Sequence, residues 1–331
     1  MTQLLARGAR TLAKIARARL LGRPVPLSVP FVLTYRCNGR CTYCGSPGRA
    51  SRDEMTPAQT GDLLQQVLNA GAERIGLTGG EPLLRPDLGD LVARARDAGA
   101  LVTVNSNGLL VERRLEALRQ VGLLLISMDG PRDHHDRLRG AGSFDAAVRG
   151  IRAAASEHIP VGIVCTLTRG SEPSRMLDLA EQLGVRCLFQ PVMSFSFSAP
   201  ARLLRELWPS REEMRRWAED LLRAKAARRP VACSRTFLRF VRDTWPGPSA
   251  LPCAAGTLHC AVSPEGRVAP CNFLVASPRW PNALEHGFTR ALELLPAFRC
   301  RGCFCPSPVE TTFLGRLVPE VMWSLARERE W

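Results

Sequence analysis

The chain has 331 residues, 45% of them apolar, and a formal net charge of +14. That length and composition bury a full core, so a disordered polymer is excluded and one large domain with a smaller unit is expected. No 18-residue apolar run exists and the N-terminus lacks the uninterrupted apolar stretch of a secretory signal, so neither a membrane span nor export is expected and the cytoplasm is the expected location.

The positive charge is almost all arginine, with lysine only at Lys14 and Lys225, and the first 52 residues contain no Asp or Glu. Within residues 1–27, Arg7, Arg10, Lys14 and Arg17 share one face of a helical wheel, and Leu4, Leu5, Leu12 and Ile15 share the other. Two readings of this basic amphipathic helix stay open. It lies on an anionic membrane surface, making the protein peripheral there, or it packs on its own barrel with the arginines in solvent. The scarcity of tyrosine and lysine argues against a nucleic-acid surface.

From residue 28 the chain alternates strand and helix. Apolar, β-branched segments at 29–34, 74–78, 101–105, 123–128, 161–167 and 185–192 predict six strands. Between them Thr56-Pro57 gives a cap and a first-turn proline. Ser143 opens a helix with Phe144, Val148, Ile151 and Ala155 on one face. The order implies an α/β fold of parallel strands joined by right-handed crossovers, either an open sheet or a partial barrel, with functional residues at the carboxyl ends of the strands. The polar clusters sit there: Cys37 after the first strand, "TGGEP" (78–82) after the second, "NSNG" (105–108) after the third and "SMDGP" (127–131) after the fourth. Residues 196–252 read as a helical connector, with a capping box at Ser210 and Glu213 and a second helix over 234–243.

Twelve cysteines in a reducing compartment are better metal ligands than disulfide partners. Cys37, Cys41 and Cys44 form a C-x3-C-x2-C run with Tyr43 before the last cysteine. Together with the "GGEP" about forty residues on, this run resembles the radical S-adenosylmethionine (SAM) superfamily. The stretch "SMDGPRDHHDRLRGAGSFDAAVRGI" (127–151) resembles its subgroup with a C-terminal SPASM or twitch extension, a likeness that spans most of residues 28–305. It implies a partial (β/α)6 TIM-like barrel over 28–195 and an enzyme. A 4Fe-4S cluster held by Cys37, Cys41 and Cys44 would keep one iron free of protein ligands, where the amino and carboxylate groups of SAM bind. Reductive cleavage of SAM then gives a 5′-deoxyadenosyl radical that takes hydrogen from a substrate. By the same likeness Gly79, Gly80 and Glu81 hold the methionyl amino end of SAM, with backbone approaching the ligand at the two glycines. Asn107, Ser127 and Asp129 are candidates for the ribose and carboxylate, although Asn-Gly and Asp-Gly are also ordinary turn formers. An electron donor such as a flavodoxin or ferredoxin is implied as a partner.

The last quarter, 253–331, holds "CAAGTLHCAVSPEGRVAPC" and "CRGCFC". The first resembles the entry to a SPASM domain, with a hairpin bringing Cys253 and Cys271 together. Six cysteines suit the shorter one-cluster twitch form, a small domain with one auxiliary 4Fe-4S cluster. The expected ligands are Cys253, Cys271, Cys300 and Cys303, with Cys305 the rival for the last place. Zinc remains an alternative in the tail, and at the triad only if His134 or His135 completes it. Cys260, Cys165, Cys187 and Cys233 read as packing residues. Cys165 has one other use, as a hydrogen donor to a product radical if it faces into the barrel. The substrate stays open between a lipid, isoprenoid or other small natural-product precursor, which the basic helix favours, and a peptide. A non-catalytic or RNA-binding iron–sulfur protein is the alternative of a different class.

Overall fold

The computed structural model describes residues 2–46, 53–193, 201–248, 251–296 and 303–326. Six parallel strands form as the apolar segments predict: β1 (Ser28–Val32), β2 (Arg74–Thr78), β3 (Leu101–Ser106), β4 (Leu123–Ser127), β5 (Val161–Leu167) and β6 (Arg186–Pro191). They lie side by side in chain order. The short hairpin strands β7 (Ala261–Val262) and β8 (Val268–Ala269) extend the same sheet past β1, giving the order β6-β5-β4-β3-β2-β1-β7-β8. β7 runs parallel to β1, pairing Phe31 with Val262, and β8 returns antiparallel. The sheet stays open, as a partial barrel with β6 and β8 at its ends.

Alternation along the strands sorts the side chains into two layers. Val29, Phe31, Ile75, Leu77, Val102, Val104, Leu124 and Ile126 are fully buried in the apolar core. The other register faces a lumen. Closed barrels fill this space with layers of branched side chains, but here Ser28, Pro30, Gly76 and Thr103 are small and a cavity of about 410 Å³ remains. The helix Pro306–Gly315 closes it from the side, contributing Ser307, Glu310, Thr311 and Leu314 to the lining.

The crossover helices start where their caps say. Thr56 caps Pro57–Asn69 in a capping box with Gln59, and Ser210 does the same for Arg211–Ala226 with Glu213. In the helix Ser143–Ser156 the buried face is Ala147, Gly150, Ile151 and Ala154, with Phe144 and Val148 half-buried. Ala155, expected on that face, is exposed, because the helix settles with its small residues against the sheet. Cys165 also departs from one expected use. It alternates with Val164, which lines the lumen, and so lies on the opposite side of β5, buried in the core, where it cannot donate hydrogen into the barrel.

The N-terminal helix Thr2–Leu21 docks on the barrel through Ile15 of the expected apolar face but not through Leu12, while the side chains of Leu4, Leu5 and Arg7 lie outside the described residues. Ile15 is buried and Ala18 packs beside it. Lys14 Nζ donates to the Gly71 carbonyl and to Glu73 Oε1, both at 2.7 Å, and Thr11 Oγ1 donates to Glu73 Oε2 at 2.6 Å. Leu12 and Leu20 point to solvent. Glu73 draws the lysine inward, and the helix rotates to follow it. No helix among the described residues is long and apolar enough to cross a membrane.

Candidate functional site

The loop after β1 is held from below before it reaches the cysteines. Glu54 accepts from Thr34 Oγ1 (2.8 Å) and from the backbone N–H of Tyr35 (2.8 Å). The "GGEP" backbone then clamps it from the side, with Gly80 N donating to Thr34 O at 2.7 Å and Glu81 N to Arg36 O at 2.9 Å. A Cβ on Gly79 would sit 2.4 Å from Thr34 O and one on Gly80 2.2 Å from Arg36 O. Both glycines are therefore demanded by the chain's own loop. Gly79 also lines the lumen.

Glu81 is fully buried. Its carboxylate accepts from Leu83 N (3.1 Å), Ser106 Oγ (2.9 Å) and Asn107 N (2.8 Å), tying the loop after β2 to the loop after β3. Burial pushes its carboxyl up to about 7 against those three donors. Next to it the Arg85–Asp87 pair, which sequence reasoning missed, is bidentate at 2.8 and 2.7 Å. Arg85 also donates to Met55 O and Thr60 Oγ1, fixing the following turn to the start of the Pro57–Asn69 helix.

Cys37, Cys41 and Cys44 are half-buried at the end of this scaffold. Each thiol lies within electrostatic reach of the other two. The N–H of Gly39 donates to Cys37 Sγ at 3.3 Å and Asn107 Nδ2 approaches it at 3.7 Å, while Arg139 Nη1 lies 3.9 Å from Cys41 Sγ. Burial pushes both thiols up, Cys41 to about 11, so ionisation needs a metal to displace the protons. A single zinc ion, 2.3 Å from each ligand, requires sulfurs that converge on one point. Among the described residues no group of three or more ligating side chains does so. His134 cannot supply the missing ligand, because its nitrogens are engaged by Thr168 Oγ1 and Arg137 Nη2. His135 accepts from Asp129 N through Nδ1 and sets its ring edge on Phe144. Three thiols flanked by N–H donors and a guanidinium fit an iron–sulfur cubane better than zinc.

The candidates on later strands separate. Ser127 lines the lumen and remains available to a ligand there. Asn107 is spent on orientation: Nδ2 donates to Asn38 Oδ1 at 2.8 Å and Oδ1 accepts from Leu109 N. Asp129 is fully buried and its carboxylate is saturated. It accepts from Tyr43 Oη (2.6 Å), Arg139 Nε (2.5 Å), Arg139 Nη2 (3.1 Å) and Thr166 N (3.0 Å). In this arrangement the carboxylate ties the loop after β4 to Tyr43, Arg139 and β5. Burial pushes its carboxyl up, but the Arg139 charge and bonds outweigh that and hold it below the usual carboxylate range. The network joins Tyr43, between two of the cysteines, to the helix Arg132–Arg139 beyond β4. Tyr43 and Asp129 were visible in the sequence, but their link through Arg139 was not.

In the tail, Cys253 and Cys303 are half-buried and Cys271 and Cys305 buried. Burial drives the Cys271 thiol well above its ordinary value, with Cys303, Cys305 and Cys253 adding to the effect, and Cys305 responds to Cys303 and Cys253. Cys253, Cys303 and Cys305 thus lie within electrostatic reach of Cys271, although among the described residues no three of them converge on a single metal ion. Cys300, expected among the ligands, lies outside the described residues. Cys305, the expected rival, lies within that reach and also lines the lumen, 3.9 Å from Gln190 Oε1. Cys260 stands apart, pushed to about 12 by burial alone.

The sequence model of the Radical SAM superfamily matches residues 31–183. The PqqA peptide cyclase of Streptomyces rochei is 30% identical over 285 residues, covering 81% of this chain and 74% of that protein. The Fe-coproporphyrin III synthase of Methanosarcina barkeri is 34% identical over 158 residues, and the chain spans only 40% of its length. Among solved structures, Streptococcus suis SuiB bound to its precursor peptide SuiA superposes with a TM-score of 0.69 at 16% identity, covering 92% of this chain and 76% of that one. At that identity the likeness is one of fold.

Proposed function

The chain belongs to the radical SAM superfamily of enzymes, and from that premise we propose that it cleaves SAM reductively and directs the resulting radical at a molecule held in the barrel lumen. The observation that carries this reading is the placement of three mutually close thiols, without a fourth among the described residues, beside a "GGEP" loop whose Gly79 opens on a cavity of about 410 Å³. A 4Fe-4S cluster held by Cys37, Cys41 and Cys44 would supply the electron for reductive cleavage of SAM. The chain's own residues do the rest. Cys37, Cys41 and Cys44 ligate; Gly39 and Asn107 donate toward Cys37, and Arg139 offsets charge at Cys41. Glu81 and Asp129 keep the loops after β2 and β4 in register, and Ser127 faces the ligand space. Cys253, Cys271, Cys303 and Cys305 offer a ligand to every iron of a second cluster, which suits electron relay between a flavodoxin- or ferredoxin-like donor and the lumen.

The cavity lies within the roughly 300–1,000 Å³ range of small-molecule sites. Its β4–β6 wall is apolar, through Leu123, Leu125, Val164 and Leu188. That wall favours a lipid, isoprenoid or other small natural-product precursor. A peptide is the second reading, favoured by the similarity to the PqqA peptide cyclase. The test is the triple variant Cys37→Ala/Cys41→Ala/Cys44→Ala in anaerobically prepared protein. Loss of about half the iron together with all 5′-deoxyadenosine formation is expected; continued formation would refute the proposal.

A further inference from the structure

We infer that the outward face of the N-terminal helix is a docking surface for a bilayer containing anionic lipid. The helix is anchored by its inner face, where Thr11, Lys14, Ile15 and Ala18 meet Glu73, Gly71 and the core. That rotation leaves Ala9, Leu12, Ala13, Ala16 and Leu20 exposed on the opposite side. At 100° per residue these five fall within an arc of about 100°, one continuous apolar stripe along the helix. Leu20 is 84% exposed and Leu12 39%, far beyond what a core-packed helix leaves in water. At its C-terminal end Arg19 donates to the Gly315 carbonyl, so the stripe runs toward Arg316 and the exposed Leu317.

The charge around the stripe names the occupant. Arg10 and Arg17 run along one border with no ion pair among the described residues, Arg23 follows beyond the helix, and no acidic residue occurs in the first 52. The one carboxylate among the described residues that pairs with this helix, Glu73, is neutralised by Lys14 on the inner side. An apolar stripe edged by arginines complements a surface that is apolar a few ångströms down and anionic at its face. A second copy of the same helix would set arginines against arginines. The inference does not depend on the reaction in the lumen, since none of these residues lies there.

The test is co-sedimentation of the iron-loaded protein with vesicles of phosphatidylglycerol and phosphatidylcholine, and of phosphatidylcholine alone. Deleting the helix would expose the Ile15 site, so two outer-face variants are used, Arg10→Gln/Arg17→Gln and Leu12→Ser/Leu20→Ser, each checked for wild-type iron content and thermal unfolding. Binding to anionic vesicles at 0.05 M salt is expected, weakening as salt shortens the Debye length from about 10 Å at 0.1 M toward about 3 Å at 1 M. Each arginine removed should weaken it roughly fivefold, or about 1 kcal/mol. The leucine variant should bind at least tenfold more weakly, with its sensitivity to salt retained. No binding by the intact protein, equal binding by both variants, or preferential capture of a single-stranded oligonucleotide by the same arginines would overturn the inference. So would a concentration-dependent dimer abolished by Leu12→Ser/Leu20→Ser.

Discussion

Replacing Arg139 by glutamine should be among the most damaging single changes to the framework around the triad, and the reason is electrostatic. Asp129 is wholly buried, and among the described residues two of its four hydrogen bonds and its one direct ion pair come from Arg139, which is itself 11% exposed. Removing one partner of a buried pair costs about 3–5 kcal/mol because it strands the other charge. Tyr43 Oη and Thr166 N still donate to the carboxylate, which places Arg139→Gln near the lower end, at about 3 kcal/mol. Adding Asp129→Asn removes the stranded charge, so the double variant should be more stable than Arg139→Gln alone, with a coupling of about 2 kcal/mol. Urea unfolding of the four proteins of this cycle, prepared anaerobically and followed by tryptophan fluorescence, measures it. A pH signature accompanies the coupling. In the wild type Asp129 is held low, so its contribution persists until pH falls below the ordinary carboxylate range. In Arg139→Gln burial acts without the guanidinium and raises that carboxyl, so the deficit should shrink between pH 7.5 and 5.5 as it takes up a proton. Additive single effects within about 0.5 kcal/mol and a deficit constant with pH would refute the account.

Cys305→Ser should remove the second cluster, read as iron and sulfide per chain, while Cys300→Ser leaves it in place; the reverse result would return the fourth ligand to Cys300. Stability should fall as pH drops from 6.5 toward 4, because burial holds His135 and His259 at about 4, so that both are neutral in the folded protein and must charge in acid. Each imidazole contributes up to about 1.4 kcal/mol per pH unit across that window. His259→Leu should flatten the acid limb of the urea midpoint against pH, and an unchanged slope would count against the assignment.

The strands were legible because their apolar residues recur within segments of five to seven, a short-range signal that tertiary context did not override. The cysteine run and the "GGEP" were legible for another reason, since each is contiguous and its chemistry depends on spacing. What stayed hidden joins distant residues. Lys14 looks like one more solvated cation until Glu73, 59 positions on, turns it inward. Asp129 reads as a ligand in a strand-end turn, and only the folded chain shows that Tyr43, Arg139 and Thr166 have taken every lone pair. The glycines of "GGEP" were read for close backbone approach, and the folded chain adds a neighbour that the sequence does not show, the loop after β1. Cys305 could not be ranked above Cys300, because two residues of chain separate Cys300 from Cys303 and nothing in that spacing says which thiol turns toward the lumen.

The pairing of β7 with β1 sets an order on synthesis. β1 is flanked by β2 on one side, and on the other only by a hairpin that leaves the ribosome roughly 230 residues later, from Phe31 to Val262. At 5–20 residues per second, that edge stays bare for about 10–50 s while the rest of the barrel assembles. An unpaired edge of Val29, Pro30 and Phe31 is a template for a neighbouring chain, and the interior proline, which lacks an N–H, is the only interruption on it. The C-terminal segment thus acts as the closing piece of the first strand, and a chain truncated before residue 261 should lose solubility for want of a partner at that edge, whatever becomes of its metal.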